Sequence, residues 1–226
     1  MDNYENLLLP YGMQLDQIMV ERFEKYADLL MEWNEKFNLT AITDRQDIYI
    51  KHFFDSLLLE GLYHPTGTLL DVGSGAGFPG IPLKIYNDHL GVVLLEPTGK
   101  RCSFLNTVIE ELKLENIMVE NMRAEDHHVK YDFVTARAVA ELNILSELCL
   151  PLVHKGGHFI AMKGPKAYEE ARKAVNGIRL LGGRIQEIRE IELPGGQTRI
   201  FVDIVKEKET PKGYPRKFAL IKKKPL

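Results

Sequence analysis

A glycine-rich turn between an apolar strand and a helical pattern constrains this chain more than any other segment. Residues 69–83 read LLDVGSGAGFPGIPL, so a strand ends at Asp71 and glycines follow at Gly73, Gly75 and Gly77. Glycines leave room where the backbone turns sharply and a ligand approaches closely. The segment therefore predicts a nucleotide-type cofactor site at the carboxyl edge of a parallel sheet.

Two cofactors compete for this turn, NAD(P) and S-adenosylmethionine. A dinucleotide fingerprint places glycine at the first, third and sixth positions after the strand, and here the sixth position is Phe78. A pyrophosphate also needs free backbone N–H groups at the helix start, which Pro79 and Pro82 lack. S-adenosylmethionine carries no phosphate, so the sequence favours it over NAD(P).

A second acidic strand end lies downstream of the glycines. The run GVVLLE at residues 91–96 is a short apolar strand pattern that ends at Glu96. A carboxylate at this place accepts hydrogen bonds from ribose hydroxyls in both kinds of cofactor site. The alternative is an ordinary solvated acid, but the glycine turn upstream favours the ribose-binding role.

Periodicity and charge divide the chain into three parts. Apolar residues recur at helical spacing over residues 15–37, with Asn38 as a stop, and a second helix is expected from Asp44 to about Leu59, ended by Gly61. The three expected parts are an N-terminal helical extension at residues 1–66, a cofactor-binding domain at residues 67–206 and a basic C-terminal tail at residues 207–226.

Strand and helix patterns alternate from residue 68 onward, which predicts an α/β fold with a parallel sheet and right-handed crossovers. Strands are expected near residues 69–72, 92–96, 117–120, 133–136, 158–162, 184–193 and 199–205. Helices are expected near residues 81–86, 100–112, 141–148 and 167–180. The turn PGGQ at residues 194–197 predicts that the last two strands form a hairpin.

Several motifs together resemble the glucose-inhibited division protein B family of small-subunit ribosomal RNA methyltransferases. Besides the glycine turn with its FPGIPL continuation, they are EPTGKR at residues 96–101, RAE at 123–125, ARA at 136–138, WN at 33–34, NLT at 38–40 and HFFDS at 52–56. The resemblance implies a class I methyltransferase fold. In that fold, a Rossmann-like, doubly wound and mostly parallel sheet carries an antiparallel C-terminal strand and an N-terminal helical extension.

The same resemblance implies S-adenosylmethionine-dependent methylation of N7 of a guanine in a conserved loop of 16S rRNA. The implied partner is 16S rRNA or the small ribosomal subunit, an assembly intermediate included. Two other functions stay open on the sequence: a small-molecule methyltransferase, and a non-catalytic regulatory protein that binds a nucleotide. The acidic segment MDNYEN has no signal-peptide character, and we expect a cytoplasmic monomer without a membrane anchor.

Two further strand ends belong to the expected cofactor site. Ala124 and Glu125 follow the third strand, and the resemblance makes them the adenine contact; a solvated acidic loop is the alternative. Arg137 ends the fourth strand, where the resemblance places it against the cofactor and a weak pair with Glu141 is the alternative. The expected cofactor-binding residues are Gly73, Gly75, Phe78, Glu96, Ala124, Glu125 and Arg137.

Methylation at N7 asks little of the protein, because N7 has a free lone pair and needs no general base. Proximity and orientation carry most of the displacement, and a nearby carboxylate would stabilise the cationic product. Asp55, Asp71 and Glu125 are candidates for that carboxylate. Nothing in the sequence chooses among them, so the catalytic residue stays unknown.

Other methylation chemistries find no support. The fourth strand is followed by ARAV at residues 136–139 rather than by the Asn/Asp-Pro-Pro-aromatic motif of exocyclic-amine methyltransferases. Methylation at cytosine C5 needs a cysteine nucleophile. Cys149 lies in an apolar run and suits a buried position, whereas Cys102 follows Lys100 and Arg101, whose charges could lower its pKa.

Charge is distributed unevenly along the chain. The net charge is −3, yet residues 206–226 hold eight Lys or Arg and two acids, together with aromatic residues that suit RNA contact. Five basic residues at or beyond strand ends are expected to form an RNA-binding rim around the cleft: Lys100, Arg101, Arg123, Lys163 and Lys166. No metal is expected, because the histidines lack ligand spacing.

Overall fold

A seven-stranded sheet with the order β3-β2-β1-β4-β5-β7-β6 forms the centre of the structure, a computed structural model that describes residues 6–226. The strands are β1 (Thr68–Val72), β2 (Gly91–Leu95), β3 (Ile117–Glu120), β4 (Tyr131–Arg137), β5 (Val153–Lys163), β6 (Gly183–Leu193) and β7 (Gln197–Lys206). Strands β1 to β5 pair in parallel, whereas β7 is antiparallel to both of its neighbours. Most of the segment MDNYEN lies outside the described residues.

Helices cover both faces of this sheet. They are α1 (Gln17–Phe37), α2 (Arg45–Ile48), α3 (Asp55–Tyr63), α4 (Gly80–Tyr86), α5 (Gly99–Glu111), α6 (Leu142–Cys149), α7 (Ala167–Leu180) and α8 (Phe218–Lys223). A π-helical segment, Tyr49–Phe54, joins α2 to α3. One buried cluster packs the N-terminal helices, α4 and α5 against one face of the sheet, and a second packs α6 and α7 against the other. The sheet is therefore doubly wound, as predicted.

The first long helix begins and ends where the sequence indicates. The side chain of Asp16 accepts a hydrogen bond from the Met19 N–H at the start of α1, and Asn38 closes its end in the left-handed conformation. An Asp at the N-cap satisfies one of the orphan N–H groups of the first turn, and Asn tolerates the left-handed backbone better than most residues.

The prediction that Gly61 ends the second helix is wrong. Helix α3 continues through Gly61 to Tyr63, and His64 closes it. A Cβ atom added at Gly61 would lie 2.8 Å from Cβ of Tyr11 and 3.0 Å from Cε of Met13. Glycine is therefore present because the N-terminal segment crosses the helix closely, and the sequence alone gives no sign of that crossing.

The strand predictions and the hairpin are confirmed, with shifts of a few residues at the ends. β6 and β7 pair antiparallel from Leu193↔Gln197 to Gly183↔Lys206. The last strand in the chain inserts between β5 and β6, so that the antiparallel strand is interior to the sheet and β6 forms the edge.

Aromatic packing fixes the N-terminal extension to the glycine turn. The Tyr26 ring stacks near Phe53, with centroids 5.2 Å apart, and near Phe78, with centroids 5.4 Å apart. Its hydroxyl donates a 2.5 Å hydrogen bond to the carbonyl of Ala76. Each buried aromatic pair of this kind stabilises the fold by more than the burial of its apolar surface alone. The N-terminal extension therefore stabilises the glycine turn.

The basic segment after β7 folds back onto the helices α6 and α7. The Arg216 side chain forms a pair of hydrogen bonds with the fully buried carboxylate of Glu147, with Nε–Oε1 at 2.7 Å and Nη2–Oε2 at 2.5 Å. Lys206 is buried and donates to the carbonyls of Leu150 and Leu181. Of the eight basic residues of segment 206–226, Lys206 and Arg216 thus bind acceptors buried within the protein itself. In the described part of the chain, no helix combines the length and the apolar character that crossing a membrane requires.

Candidate cofactor and base site

A cavity of about 390 Å³ opens at the carboxyl ends of β1, β2 and β4. Its walls come from the glycine turn, from the end of β2 with the start of α5, from the end of β4, and from the N-terminal extension. The lining residues are Leu39, Thr40, His52, Gly73, Ser74, Gly75, Ala76, Phe78, Glu96, Pro97, Thr98, Arg101, Arg137, Ala138 and Val139. Of the seven expected cofactor-binding residues, five lie in this wall.

The backbone of the glycine turn takes conformations that glycine adopts readily. Gly73 has φ +71° and Gly75 has φ +60°, a region in which other L-residues are strained. A Cβ atom at Gly73 would lie 2.9 Å from Cγ2 of Val139 across the cavity wall. The turn is tied to β2, since the N–H groups of Gly73 and Ser74 both donate to the carbonyl of Leu95.

Glu96 holds this turn in place. Its carboxylate is buried and accepts one hydrogen bond per oxygen, from the N–H of Gly75 and from the N–H of Thr98, both at 2.9 Å. A carboxylate oxygen has two acceptor sites, so each oxygen keeps capacity for a ligand hydroxyl at the cavity wall. The prediction of a ribose contact thus fits the geometry. The bond to Gly75 adds a second role that the sequence did not indicate.

The start of helix α4 offers no free N–H groups. The N–H of Gly80 donates to Oδ2 of Asp71 at 2.9 Å, the N–H of Ile81 donates to a carbonyl of the turn, and the N–H of Leu83 donates to the carbonyl of Pro79. Pro82 has no N–H. A pyrophosphate needs these donors, so the geometry supports the exclusion of a dinucleotide.

The Arg137 side chain belongs to a buried ion cluster. Its Nη1 donates to Oδ2 of Asp55 at 2.9 Å, and its Nη2 lies 2.9 Å from Nδ1 of His52. Arg199, from β7, donates to both oxygens of the same Asp55 at 2.5 and 2.8 Å. In the described part of the chain, Arg137 forms no ion pair with Glu141, because the fully buried carboxylate of Asp55 binds it instead.

Phe78 packs in the core and also lines the cavity. The ring is 4% exposed, stacks on His52 with centroids 4.2 Å apart, and lies 4.9 Å beneath the Arg137 guanidinium. It is therefore a core residue and a lining residue at once, and the cation–π contact helps to hold Arg137 at the cavity. Burial, followed by the Arg137 charge, lowers the pKa of His52 to about 3, so this histidine is neutral.

The three candidate carboxylates occupy different places. Asp55 is fully buried between two guanidiniums, as described above. Asp71 is also fully buried, and its Oδ1 has no hydrogen-bond partner in the described part of the chain. Burial raises the pKa of Asp71 to about 7. Glu125 lies in the 3-10 turn Ala124–Asp126 and, like Ala124, is outside the cavity lining.

The expected basic rim is only partly exposed. Lys100 lies over the ring of Phe37 and Arg123 over the ring of Phe218, whereas Arg101 lines the cavity. Lys166 is exposed at the start of α7. Lys163 differs, since its side chain is 9% exposed, pairs with a carboxylate of α7 and donates to a backbone carbonyl. Its ammonium group is thus used internally.

Neither cysteine is suited to nucleophilic attack. Cys149 is fully buried, and burial raises its pKa. Cys102 donates from Sγ to the carbonyl of Glu96 at 3.1 Å, and burial raises its pKa as well. The expectation that neighbouring cations lower the pKa of Cys102 is wrong, because burial and the Glu96 charge act in the opposite direction. Within residues 6–226, no three His, Cys, Asp or Glu side chains are grouped as ligands for a metal ion.

Sequence reasoning missed part of the cavity wall. Leu39, Thr40 and His52 come from the N-terminal extension and line the cavity beside the end of β4, where His52 contacts Arg137. They belong to the NLT and HFFDS motifs. The sequence shows these motifs but does not indicate that they line the site. Arg199 was missed because nothing in the sequence links the start of the last strand to a helix 144 positions earlier.

Comparison with known proteins gives a consistent result. The model of the GidB family, described as rRNA small subunit methyltransferase G, matches residues 19–198. The chain is 46% identical over 224 residues to ribosomal RNA small subunit methyltransferase G of Alkaliphilus metalliredigens, which covers 95% of this chain and 94% of that protein. It is 42% identical over 234 residues to the protein of the same name from Streptococcus pneumoniae, covering 100% and 99%.

A solved structure has a similar fold. TYW2 of Pyrococcus horikoshii, in complex with MeSAdo, aligns with a TM-score of 0.52 at 15% identity, covering 66% of this chain and 60% of that one. Likeness at this level of identity shows the fold alone. The chain thus has the fold that the motifs of the sequence imply.

Proposed function

This chain belongs to the rRNA small subunit methyltransferase G family, and on that premise we propose that it methylates N7 of a guanine in 16S rRNA. As a methyltransferase it draws its methyl group from S-adenosylmethionine. The observation that carries the proposal is a cavity whose glycine turn is held by the buried carboxylate of Glu96 and whose neighbouring helix start has no N–H to spare for a phosphate.

The residues of the cavity fit that cofactor. Gly73 and Gly75 leave the wall of the turn free of side chains, and Glu96 retains acceptor capacity toward ribose hydroxyls. We assign the adenine end to the neighbourhood of Ala124 and Glu125, beside the end of β3. S-adenosylmethionine, when bound, supplies an electrophilic methyl group on a sulfonium. The chain then has to hold donor and acceptor in line.

Methylation at a ring nitrogen suits the groups that the site contains. Guanine N7 has a lone pair, so no side chain has to remove a proton before attack. The cysteines are buried with raised pKa values, which speaks against a covalent route through cytosine C5. Of the three carboxylates considered for the cationic product base, Asp55 and Asp71 are fully buried and Glu125 lies outside the cavity lining, so we assign the stabilising role to none of them.

The substrate RNA would approach over the basic residues around the cavity. Lys100, Arg101, Arg123 and Lys166 are the positions that we propose for phosphate contact. The exposed lysines of the C-terminal segment extend this surface. Lys163 is left out, since its ammonium is buried in an ion pair. We propose that a monomer acts in the cytoplasm on free 16S rRNA, on an assembly intermediate or on the finished subunit.

A methyl-transfer assay tests the proposal. The purified protein is incubated with tritiated S-adenosylmethionine and unmodified 16S rRNA, transcribed in vitro, or small subunits assembled on it. We expect one labelled N7-methylguanine, which borohydride and aniline cleavage maps to a single nucleotide. Label in an exocyclic amine or at cytosine C5 would overturn the N7 assignment, and transfer to small molecules alone would favour the alternative substrate class.

A paired glycine substitution tests the cofactor site. Gly73→Asp places a carboxylate at the cavity wall at a residue with φ +71°, and we expect roughly 100-fold or more loss of S-adenosylhomocysteine affinity by calorimetry. Gly195→Asp is the control, because Gly195 has φ +91° in the hairpin with open space around its Cβ position. If both variants bind like the wild type, the glycine turn is not the cofactor site.

A further inference from the structure

The direction of a short hydrogen-bond chain in the cavity wall can be read from its chemistry. An Arg guanidinium only donates, so the Nδ1 of His52, 2.9 Å from Nη2 of Arg137, accepts and carries no proton. The proton of the neutral imidazole is then on Nε2. That nitrogen lies 2.9 Å from Oγ1 of Thr40 and donates to it.

Thr40 also accepts a second hydrogen bond. The N–H of Ile42 donates to the same Oγ1 at 3.1 Å, and the N–H of Thr40 itself donates to Oδ1 of Asn34 at 2.8 Å. A hydroxyl has two acceptor lone pairs and one proton. The hydrogen bonds from His52 and Ile42 use both lone pairs of Oγ1, so the Thr40 hydroxyl can form a further hydrogen bond only as a donor.

That proton has no acceptor among the described residues, and Thr40 lines the cavity. The Thr40 side chain stands with His52 and Arg137 on the wall formed by the N-terminal extension and the end of β4. Glu96 stands at the end of β2, beyond β1 in the sheet. The donor hydroxyl is therefore on the other side of the cavity from the expected ribose contact.

We propose that the Thr40 hydroxyl donates a hydrogen bond to O6 of the target guanine and so determines the base. This inference rests on the proposed function, and it names how the same site recognises its substrate. In guanine, O6 is an acceptor beside N7, whereas adenine presents an amino donor at that position. A fixed donor in the wall accepts guanine and opposes adenine.

The rigidity of the arrangement supports a role in selection. Thr40 is held by three hydrogen bonds from different parts of the extension, and His52 is stacked on Phe78. A donor whose other bonds are satisfied cannot turn into an acceptor for an adenine amino group without breaking one of them. Sites that hydrogen-bond a substrate group reject analogues lacking it more strongly than apolar pockets do.

Base analogues at the target nucleotide test this assignment. Short RNA substrates carry guanine, inosine, which keeps O6, or 2-aminopurine, which keeps N7 and lacks O6. For the wild type we expect kcat/KM with 2-aminopurine to fall about 10-fold or more below guanine, with inosine within a few-fold of guanine. Equal rates for guanine and 2-aminopurine in the wild type would overturn the proposal without any variant.

Variants of Thr40 separate the hydroxyl from its surroundings. Thr40→Val removes the donor at nearly the same volume, and we expect the preference for guanine over 2-aminopurine to shrink toward unity while S-adenosylhomocysteine affinity changes less than about two-fold. Thr40→Ser keeps the hydroxyl and should keep the preference even where Thr40→Val folds poorly. Lost cofactor affinity with an unchanged base preference would place the hydroxyl on the cofactor and refute the inference. Failure of the wild type to form N7-methylguanine at all would instead refute the proposed function.

Discussion

At the scale of single residues, two opposing effects act on the pKa of Asp71. Its Oδ2 accepts the N–H of Gly80, which favours the charged form, while its Oδ1 is buried without a partner. Burial dominates and raises the pKa to about 7. The position of Asp71 at the strand end is predictable from the sequence, but its burial depends on the helices packed against the sheet and is not.

Asp71→Asn should change how stability depends on pH. Because the folded-state pKa is raised from its ordinary value of 3.8 to about 7, the folded wild type binds more protons than the unfolded chain between these values. Its free energy of unfolding should therefore fall relative to that of the variant as pH rises from about 4 to 7. The slope is up to about 1.4 kcal/mol per pH unit. Urea denaturation across this range measures it, and a difference that stays constant with pH contradicts the expectation.

At the scale of elements, periodicity determined the strands and the long helices correctly. The spacing of apolar residues in a strand or helix reflects which of its faces is buried. This spacing can be seen within the segment itself, without knowledge of its neighbours in the fold. The stretch from α2 to α3 was harder, because its π-helical middle and its end at Tyr63 depend on neighbours. Gly61 predicts a helix stop in the sequence, yet the structure requires glycine there because Tyr11 and Met13 of another segment lie close to it.

Gly61→Ala should therefore destabilise the protein although alanine is the better helix former. The added methyl group would meet Cβ of Tyr11 at 2.8 Å, and we expect a loss of about 1–3 kcal/mol in the free energy of unfolding. Gly99→Ala, in helix α5 with nothing within 4 Å of the added Cβ, is the control and should be neutral or slightly stabilising. Equal effects at the two sites would show that close packing does not explain Gly61.

At the scale of the whole molecule, one buried carboxylate joins three distant segments. Asp55 of α3 binds Arg137 of β4 and Arg199 of β7, and these contacts connect the N-terminal extension to the sheet beside the cavity. Motifs indicated Asp55 and Arg137 separately, and their pairing could not be predicted. Pairing across such separations follows from the folded topology rather than from any local pattern.

Asp55→Asn should be strongly destabilising, because it leaves two largely buried guanidiniums without their counter-charge. We expect a loss of about 3–5 kcal/mol in the free energy of unfolding. Glu32→Gln is the matched control, since it removes the exposed pair of Glu32 with Lys36, and its cost should stay below about 1 kcal/mol. Denaturant titration of both variants checks the contrast, and a cost for Asp55→Asn as small as the control's would contradict it.

The contact between Asp55 and Arg199 also has a consequence for biosynthesis. These residues are 144 positions apart, so the early carboxylate emerges from the translating ribosome long before its second guanidinium. A nascent chain arrested ahead of β7 contains the glycine turn but lacks one of the charges that neutralise Asp55. We therefore expect the methyl-donor pocket to mature only when translation is almost complete, and chains stalled before that strand to capture the donor weakly in a filter-binding assay.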